Sequence, residues 1–242
     1  MHPARIAELL EPYLLSPLDQ GPKTRLLLSN ISTYIDVLLH WNARINLTAI
    51  RDPEQIVTRH FGESLFAAQY LLPNDSSAPP VLKNVEVATH ERRTNHRVAD
   101  VGSGAGFPGL PIKLYAPDID LTLIESNHKK ATFLREVVRA LNLTGVNVQN
   151  ARAEILTSTF DLVTLRAVER FAQALPVAAA RVAPAGRLAL LICTSQLAAA
   201  ESALSHISWD SPLPIPRSES RMLCIGHHLR DSSEDHESKH VG

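Results

Sequence analysis

The chain lacks the features that mark several large classes of protein. It has only two cysteines, Cys193 and Cys224, in separate apolar runs, so neither a disulfide framework nor a cysteine-based zinc site is predicted. No apolar run is long enough to span a bilayer, and the first 15 residues lack the basic and apolar regions of a signal peptide. These absences favour a cytoplasmic protein with no membrane partner and no metal.

The chain also has no excess of charge of either sign. It carries 24 Lys and Arg against 25 Asp and Glu, a formal net charge of −1. Proteins that bind polyanions usually have a basic excess, so this balance argues against tight unassisted binding to nucleic acid, although a local basic patch remains open. With 242 residues, 45% of them hydrophobic, the chain suits one medium-sized domain with a smaller appendage.

The first part of the chain has helical periodicity. Apolar residues recur at three- and four-residue steps in "KTRLLLSNISTYIDVLLHW", and Asp52 with Pro53 predicts a helix start. Residues 1–75 are therefore predicted to form an N-terminal helical extension. The segment "PNDSSAPP" and the charged stretch after it predict a linker or insertion at 76–96, and the polar tail at 231–242 is predicted to be disordered.

From Arg97 the pattern alternates between strands and helices. Strands are predicted at "RVADVG", "DLTLIES", "VNVQNA", "FDLVTLRA", "GRLALLIC" and "RMLCIGHHL". Helices are predicted from Pro108, over "NHKKATFLREVVRALNL", "FAQALPVAAARV" and "SQLAAAESALSHI". The alternation predicts an α/β domain over residues 97–230, with a mostly parallel sheet covered on both faces.

The stretch "VADVGSGAGFPGLP" ends the first of these strands and opens a helix. Glycines allow the backbone positive φ angles and close approach to a ligand, and the first turn of a helix has unpaired N–H groups. Such a loop lies at the carboxyl edge of a parallel sheet, where open α/β folds bind ligands. A ligand site is therefore predicted here.

Two cofactors compete for this loop. Gly104, Gly106 and Gly109 satisfy G-x-G-x-x-G, and together with Glu125 they fit a nicotinamide-dependent oxidoreductase. Asp100, however, lies just ahead of the glycines, where a carboxylate suits the ammonium group of S-adenosylmethionine and repels a pyrophosphate. The local pattern favours S-adenosylmethionine, and a glycine turn without a ligand is the third alternative.

Three later positions belong to the same predicted edge. Glu125 ends the second strand and would accept hydrogen bonds from ribose hydroxyls, unless it serves only as an acid at the next helix start. The stretch "NARAE" follows the third strand, where an adenine is commonly held, although Arg152 and Glu154 could form a simple surface pair. Arg166 ends the fourth strand and faces the same crevice.

Several of these stretches together resemble a known family. "NARINLTAI", "RHFGESL", "DVGSGAGFPGLP", "LIESNHKKATFL", "ARAE" and "FDLVTLRAV" occur in the order and spacing of the bacterial 16S rRNA guanine-N7 methyltransferases, also called glucose-inhibited division protein B. The resemblance implies a class I S-adenosylmethionine-dependent methyltransferase fold, Rossmann-like with a mostly parallel seven-stranded sheet. It also implies methyl transfer to one guanine in the decoding-region loop of 16S rRNA, in the small ribosomal subunit or its precursor.

The resemblance carries over to particular residues. Gly102 and Phe107 would touch the cofactor, Ala153 and Glu154 would lie by its adenosine, and Arg166 would complete the pocket. Reasoning from the residues themselves adds four more cofactor-binding candidates: Asp100, Ser103, Gly104 and Glu125.

The chain departs from the family at two motifs. The usual Lys-Gly pair after the fifth strand reads Cys193-Thr194, and the usual Asp-Ser after His-Phe reads Gly62-Glu63-Ser64. A non-catalytic homologue that binds S-adenosylmethionine or RNA therefore remains an alternative.

The implied chemistry needs no general base, because guanine N7 has a lone pair and no proton. Catalysis would come mainly from holding N7 about 3 Å from the methyl carbon. His60, Glu63 and Arg166 are the residues predicted to line this approach, although His60 could simply be a packed helix histidine.

The acceptor base would have to be looped or splayed out, because N7 lies in the deep, narrow major groove of duplex RNA. Cations that could face the RNA are Arg44, Arg51, Arg59, Lys129, Lys130, Arg135 and Arg139. The alternative is an ordinary solvated basic face.

Overall fold

The computed structural model describes residues 1–72, 96–168 and 170–228. All the regular elements of the first range are helices: α1 (Pro3–Leu10), a 3₁₀ turn (Glu11–Tyr13), α2 (Pro22–Asn42) and α3. Helix α3 runs through three pieces, Pro53–Gln55, a π-helical Ile56–Gly62 and Glu63–Leu71. The predicted helix start at Asp52 is confirmed, since its Oδ1 accepts a hydrogen bond from the Gln55 N–H at 2.8 Å.

The strands form one sheet: β1 (Arg97–Val101), β2 (Asp120–Ile124), β3 (Val146–Gln149), β4 (Phe160–Arg166), β5 (Val182–Cys193), β6 (Ile207–Trp209), β7 (Leu213–Pro214) and β8 (Arg221–His228). The order is β3-β2-β1-β4-β5-β8-β6, and the two-residue β7 pairs with β8. Strands β1 to β5 are parallel, whereas β8 is antiparallel to β5 and β6. The predicted mostly parallel sheet of seven strands is confirmed, with β7 as a short addition.

Four further helices follow the strands: α4 (Gly109–Tyr115), α5 (His128–Ala140), α6 (Phe171–Ala179) and α7 (Thr194–Ala203). The helix predicted to reach Ile207 ends earlier, and this part of the prediction was wrong. Ile207 instead begins β6 and pairs with His228 of β8, burying its branched side chain against the sheet. Pairing with a strand distant in sequence therefore overrides the local helical pattern.

The sheet is covered on both faces, as parallel sheets require. Along β1, Val98 packs into a core shared with α2, α3, α4 and α5, while Ala99 packs into a second core with α6 and α7. Both side chains are fully buried. Cys193 and Cys224 are free thiols, as predicted. The predicted linker, apart from His96, and the predicted tail lie outside the described residues.

The helical extension packs directly against the glycine loop. Tyr34 of α2 is fully buried, and its hydroxyl donates a hydrogen bond to the Ala105 carbonyl at 2.6 Å. The Tyr34 ring also stacks on Phe107, with ring centroids 5.3 Å apart. Helix α2 therefore fixes the shape of the loop from below.

Replacing Tyr34 by Phe is expected to lower the free energy of unfolding by about 1–3 kcal/mol, because the Ala105 carbonyl is left buried without this donor. Urea unfolding measures the change. Tyr70→Phe is the matched control, since among the described residues the Tyr70 hydroxyl has no hydrogen-bond partner. Equal stabilities for the Tyr34→Phe variant and the unaltered protein would contradict this role of the hydroxyl.

Candidate functional site

The loop after β1 is held against the end of β2. The backbone N–H groups of Gly102 and Ser103 both donate to the Ile124 carbonyl, at 2.9 and 3.1 Å. The Ser103 hydroxyl donates to the Asp100 carbonyl at 2.8 Å, so this buried side chain turns inward to support the loop. A direct contact between Ser103 and a cofactor stays a prediction.

Gly104 differs from the neighbouring glycines because it faces open space. Its φ is +54°, and a Cβ added there would have the Gly102 carbonyl oxygen, at 3.7 Å, as its near neighbour among the described residues. A Cβ at Gly106 would collide with the Tyr34 hydroxyl, and one at Gly102 would lie 2.9 Å from Val168. The backbone at Gly104 therefore faces open space, whereas the backbone at Gly106 faces protein.

Asp100 lies beneath the loop and is 1% exposed. Its Oδ1 accepts a hydrogen bond from the Thr164 hydroxyl at 2.8 Å, and its Oδ2 accepts one from the Gly109 N–H at 3.3 Å. Burial raises the pKa of Asp100 to about 6, and these hydrogen bonds oppose the shift. Asp100 thus ties β1 to β4 and to the start of α4, and its predicted contact with the cofactor's ammonium group stays a prediction.

Glu125 joins the loops that follow β1 and β2. Its Oε2 accepts a hydrogen bond from the Gly104 N–H at 2.9 Å, and its Oε1 accepts one from the Asn127 N–H at 2.7 Å. Both predicted roles are therefore compatible, because it stands at the start of α5 and beside the open glycine. A carboxylate offers about four acceptor positions, which leaves room for ribose hydroxyls.

The loop after β3 is tied to the same place. The Asn150 side chain donates to the carbonyls of Glu125 and Ser126, at 3.0 and 3.1 Å. Ala153 is buried, while Glu154 is exposed. The predicted adenosine-binding residues therefore lie beside Glu125 at the carboxyl edge.

The end of β4 carries a group of charged side chains around one buried carboxylate. Glu63 is 1% exposed and lies 3.0 Å from Arg166, 2.5 Å from Arg221 and 3.5 Å from Arg59, measured between carboxylate oxygens and guanidinium nitrogens. Arg166 also donates to the Arg59 carbonyl at 2.6 Å. We call these four residues the Glu63 cluster, and it holds Arg166 in place at the edge of the sheet.

His60 lies between this cluster and the glycine loop. Its Nδ1 lies 3.3 Å from an Arg166 guanidinium nitrogen, and its Nε2 lies 2.9 Å from the Thr48 hydroxyl. An arginine can only donate, so Nδ1 accepts and Nε2 carries the proton. The imidazole also stacks on Phe107, with ring centroids 4.6 Å apart. His60 is thus both packed and next to Arg166.

The structure therefore brings His60, Glu63 and Arg166 together. The prediction that all three line the approach of the guanine requires this proximity. Phe107 is a buried core residue between the Tyr34 and His60 rings, so a contact with the cofactor could be made through its backbone.

A cation lies at the end of β5 beside Cys193 and Thr194. Cys193 ends β5, and its N–H is capped by the Gln196 side chain at 3.0 Å. Arg221 of β8 lies directly opposite Cys193 in the antiparallel register. Arg221 was not among the predicted site residues, since nothing in the sequence shows which residue of β8 faces the end of β5.

Three of the predicted RNA-facing cations line one surface depression. Arg44, Lys129 and Lys130 surround a volume of about 290 Å³ together with Ile45, Asn46 and Asn127. Among the described residues, no carboxylate pairs with these three cations. Arg135 instead donates to the Val148 carbonyl at 3.3 Å, and Arg139 pairs with Glu136 at 2.8 Å.

The residues that the structure describes hold neither a membrane-spanning helix nor a candidate metal site. No helix in them is long and apolar enough to cross a membrane. No group of three or more His, Cys, Asp or Glu side chains in them is arranged to hold a metal ion.

The strand order, with the antiparallel β8 inserted between β5 and β6, is that of a class I S-adenosylmethionine-dependent methyltransferase. The fold is similar to that of the ribosomal protein L11 methylase from Lactobacillus delbrueckii subsp. bulgaricus, with a TM-score of 0.53 and 15% identity over 72% of this chain and 80% of that one. Within this class, the family described as rRNA small subunit methyltransferase G (GidB) has a model that matches residues 27–82 and 79–211. The chain belongs to this family.

Curated relatives carry the name ribosomal RNA small subunit methyltransferase G. The protein from Chloroflexus aggregans is 37% identical over 209 residues, covering 79% of this chain and 78% of that one. The protein from Xylella fastidiosa strain 9a5c is 37% identical over 166 residues, covering 66% and 68%. The match to the strain M23 protein, 41% identical, spans 55% of that relative.

His60 is expected to stay neutral down to about pH 5. Burial, with Arg166 and then Arg59 adding to it, lowers its pKa from 6.5 to about 3. Because the folded pKa is below the unfolded one, neutral His60 stabilises the fold above pH 6.5, and this contribution is lost as the pH falls toward 3. NMR of ¹⁵N-labelled histidine should show an Nε2–H tautomer, with the exposed His40 as reference. A midpoint near pH 6.5 for His60 would contradict the geometry.

Proposed function

We propose that the chain transfers a methyl group from S-adenosylmethionine to N7 of a guanine in the decoding-region loop of 16S rRNA. It does so in the cytoplasm, on the small ribosomal subunit or its precursor. The observation that carries this proposal is the open backbone at Gly104, flanked by Glu125 on one side and by the Glu63 cluster at the end of β4 on the other. Membership of the methyltransferase family supports it.

The residues present fit the cofactor. Glu125 would accept hydrogen bonds from the ribose hydroxyls, and Ala153 and Glu154 would lie by the adenine. Asp100 would lie beneath the methionine end, and the remaining contacts would come from the loop and from the end of β4: Gly102, Ser103, Gly104, Phe107 and Arg166. When bound, S-adenosylmethionine supplies a methyl group on a positively charged sulfur, and the anionic Glu125 and Asp100 suit that charge.

The same carboxylates weaken the nicotinamide alternative. In a dinucleotide site the loop N–H groups point at a pyrophosphate. Here the Gly104 N–H already donates to the Glu125 carboxylate, and the Gly109 N–H donates to Asp100. Two of the loop's N–H groups are therefore already bound to carboxylates, and the negative charge of these acids would repel a nearby pyrophosphate.

The residues at the end of β4 act by position and charge. His60 is neutral, and its Nδ1 lone pair faces Arg166, so it is not available as a base. None is required, because N7 reacts through its lone pair. Glu63 fixes Arg166, and with His60 they shape the edge that the guanine must approach.

The basic depression of Arg44, Lys129 and Lys130 suits the RNA backbone. Lys129 and Lys130 lie in the first turn of α5, where positive charge opposes the helix dipole. A phosphate bound there would relieve this repulsion. Arg59 and Arg135 are also exposed and could add to the basic surface.

Substitutions at two glycines separate cofactor binding from folding. Gly104→Val is expected to reduce affinity for S-adenosylhomocysteine at least tenfold with the fold retained, because the new side chain points into open space. Gly106→Val is expected to unfold the protein, because it collides with Tyr34. Isothermal titration and thermal melting measure the two effects. Unchanged affinity in folded Gly104→Val would place the cofactor elsewhere.

The activity itself is tested with isotope-labelled S-adenosylmethionine and small ribosomal subunits that lack the mark. Label is expected in N7-methylguanine at a single position of 16S rRNA, and mature methylated subunits serve as the control. Binding of S-adenosylhomocysteine without transfer to any RNA would instead support a non-catalytic homologue. Stabilisation by NAD and not by S-adenosylhomocysteine would reverse the cofactor assignment.

A further inference from the structure

A second depression lies beside the Glu63 cluster, on the outer side of the helical extension. It has a volume of about 350 Å³, and Tyr13, Arg59 and Arg217 line it together with Glu8, Leu9, Pro12 and Thr58. Arg217 comes from the loop between β7 and β8, beyond the residues that the family model matches. We call it the Tyr13 depression.

We propose that the Tyr13 depression binds a phosphodiester group of the acceptor RNA, which rests on the proposed function above. The depression offers three hydrogen-bond donors of suitable chemistry: the guanidinium groups of Arg59 and Arg217 and the hydroxyl of Tyr13. A phosphate oxygen accepts from all three kinds of donor.

Tyr13 is the most informative of these residues. Its side chain is 3% exposed, yet among the described residues its hydroxyl has no hydrogen-bond partner. The ring packs over Gly62, where an added Cβ would lie 2.7 Å from it. The absence of a side chain at Gly62 therefore makes the room that Tyr13 occupies. A phenol that lines a depression and has no described partner for its hydroxyl can donate a hydrogen bond to a group bound there.

The charges around the depression favour an anion. Glu8 on its rim already pairs with Arg5 at 2.9 Å, and Arg5 also pairs with Glu54. Glu63 beneath it faces three arginines, among them Arg59. Glu8 and Glu63 therefore already have cationic partners, whereas Arg217 has no carboxylate partner among the described residues.

The position of the depression favours the acceptor over the cofactor. The Arg59 carbonyl accepts a hydrogen bond from Arg166, so the depression adjoins the end of β4. Strand β4 flanks β1 on the side away from β2 and β3, where Glu125 and Ala153 lie. A phosphate held by Arg59 and Arg217 would therefore anchor a nucleotide on the side from which the guanine must approach.

The test measures methyl transfer and binding with small ribosomal subunits that lack the mark. Arg217→Ala is expected to raise KM for subunits about tenfold, with kcat within about twofold. It should also reduce the slope of log affinity against log salt by about 0.7–0.9. Tyr13→Phe, which keeps the ring over Gly62, is expected to raise KM about threefold. Affinity for S-adenosylhomocysteine should be unchanged in both.

Lys23→Ala is the matched control, because Lys23 is an exposed cation at the start of α2 that does not line the Tyr13 depression. If Lys23→Ala lost as much affinity for subunits as Arg217→Ala, the proposal would be overturned. The result would instead indicate a general electrostatic attraction that does not depend on the depression. So would unaltered KM and salt slope in both Arg217→Ala and Tyr13→Phe. Weaker binding of S-adenosylhomocysteine to either variant would show that the depression binds the cofactor's carboxylate and not an RNA phosphate. If the unaltered protein bound subunits but transferred no methyl group, the proposed function would fail while the salt slopes still tested the phosphate site.

Discussion

The hydrogen bond between the Gly104 N–H and Glu125 is the contact on which the candidate site depends. It joins the loops after β1 and β2. It also places a carboxylate beside Gly104, whose left-handed backbone faces open space among the described residues. The loop cannot relax, because Ile124 holds it from one side and Tyr34 from below. Bare backbone and a fixed acid are the two things that a ribose next to a sulfonium requires.

The helical extension is part of this site, not an appendage to it. Through Tyr34 it shapes the glycine loop, and through His60 and Glu63 it fixes Arg166 at the end of β4. The Tyr34 contact is buried and the other two are partly buried, so salt screens them less than it screens an exposed cation such as Lys129. One edge of the sheet thus combines the proposed cofactor side at β1 to β3 with the proposed acceptor side at β4.

Local rules predicted much of this arrangement from the sequence. Asp52 caps its helix as expected, Asn127 caps α5, and the alternation from Arg97 onwards gave the parallel sheet. Contacts between distant residues were beyond such rules. Glu63 and Arg166 are 103 residues apart, and no spacing in the sequence shows that they pair. The strand at Ile207 was missed for the same reason, since its partner β8 follows only later in the chain.

The most direct test of the account is a crystal structure of the protein soaked with S-adenosylhomocysteine. The ribose hydroxyls are expected within hydrogen-bonding distance of Glu125, with the Gly104 backbone against the ligand and the sulfur turned toward β4. A ligand bound away from this loop, or a Glu125 carboxylate that contacts no part of the ribose, would contradict it.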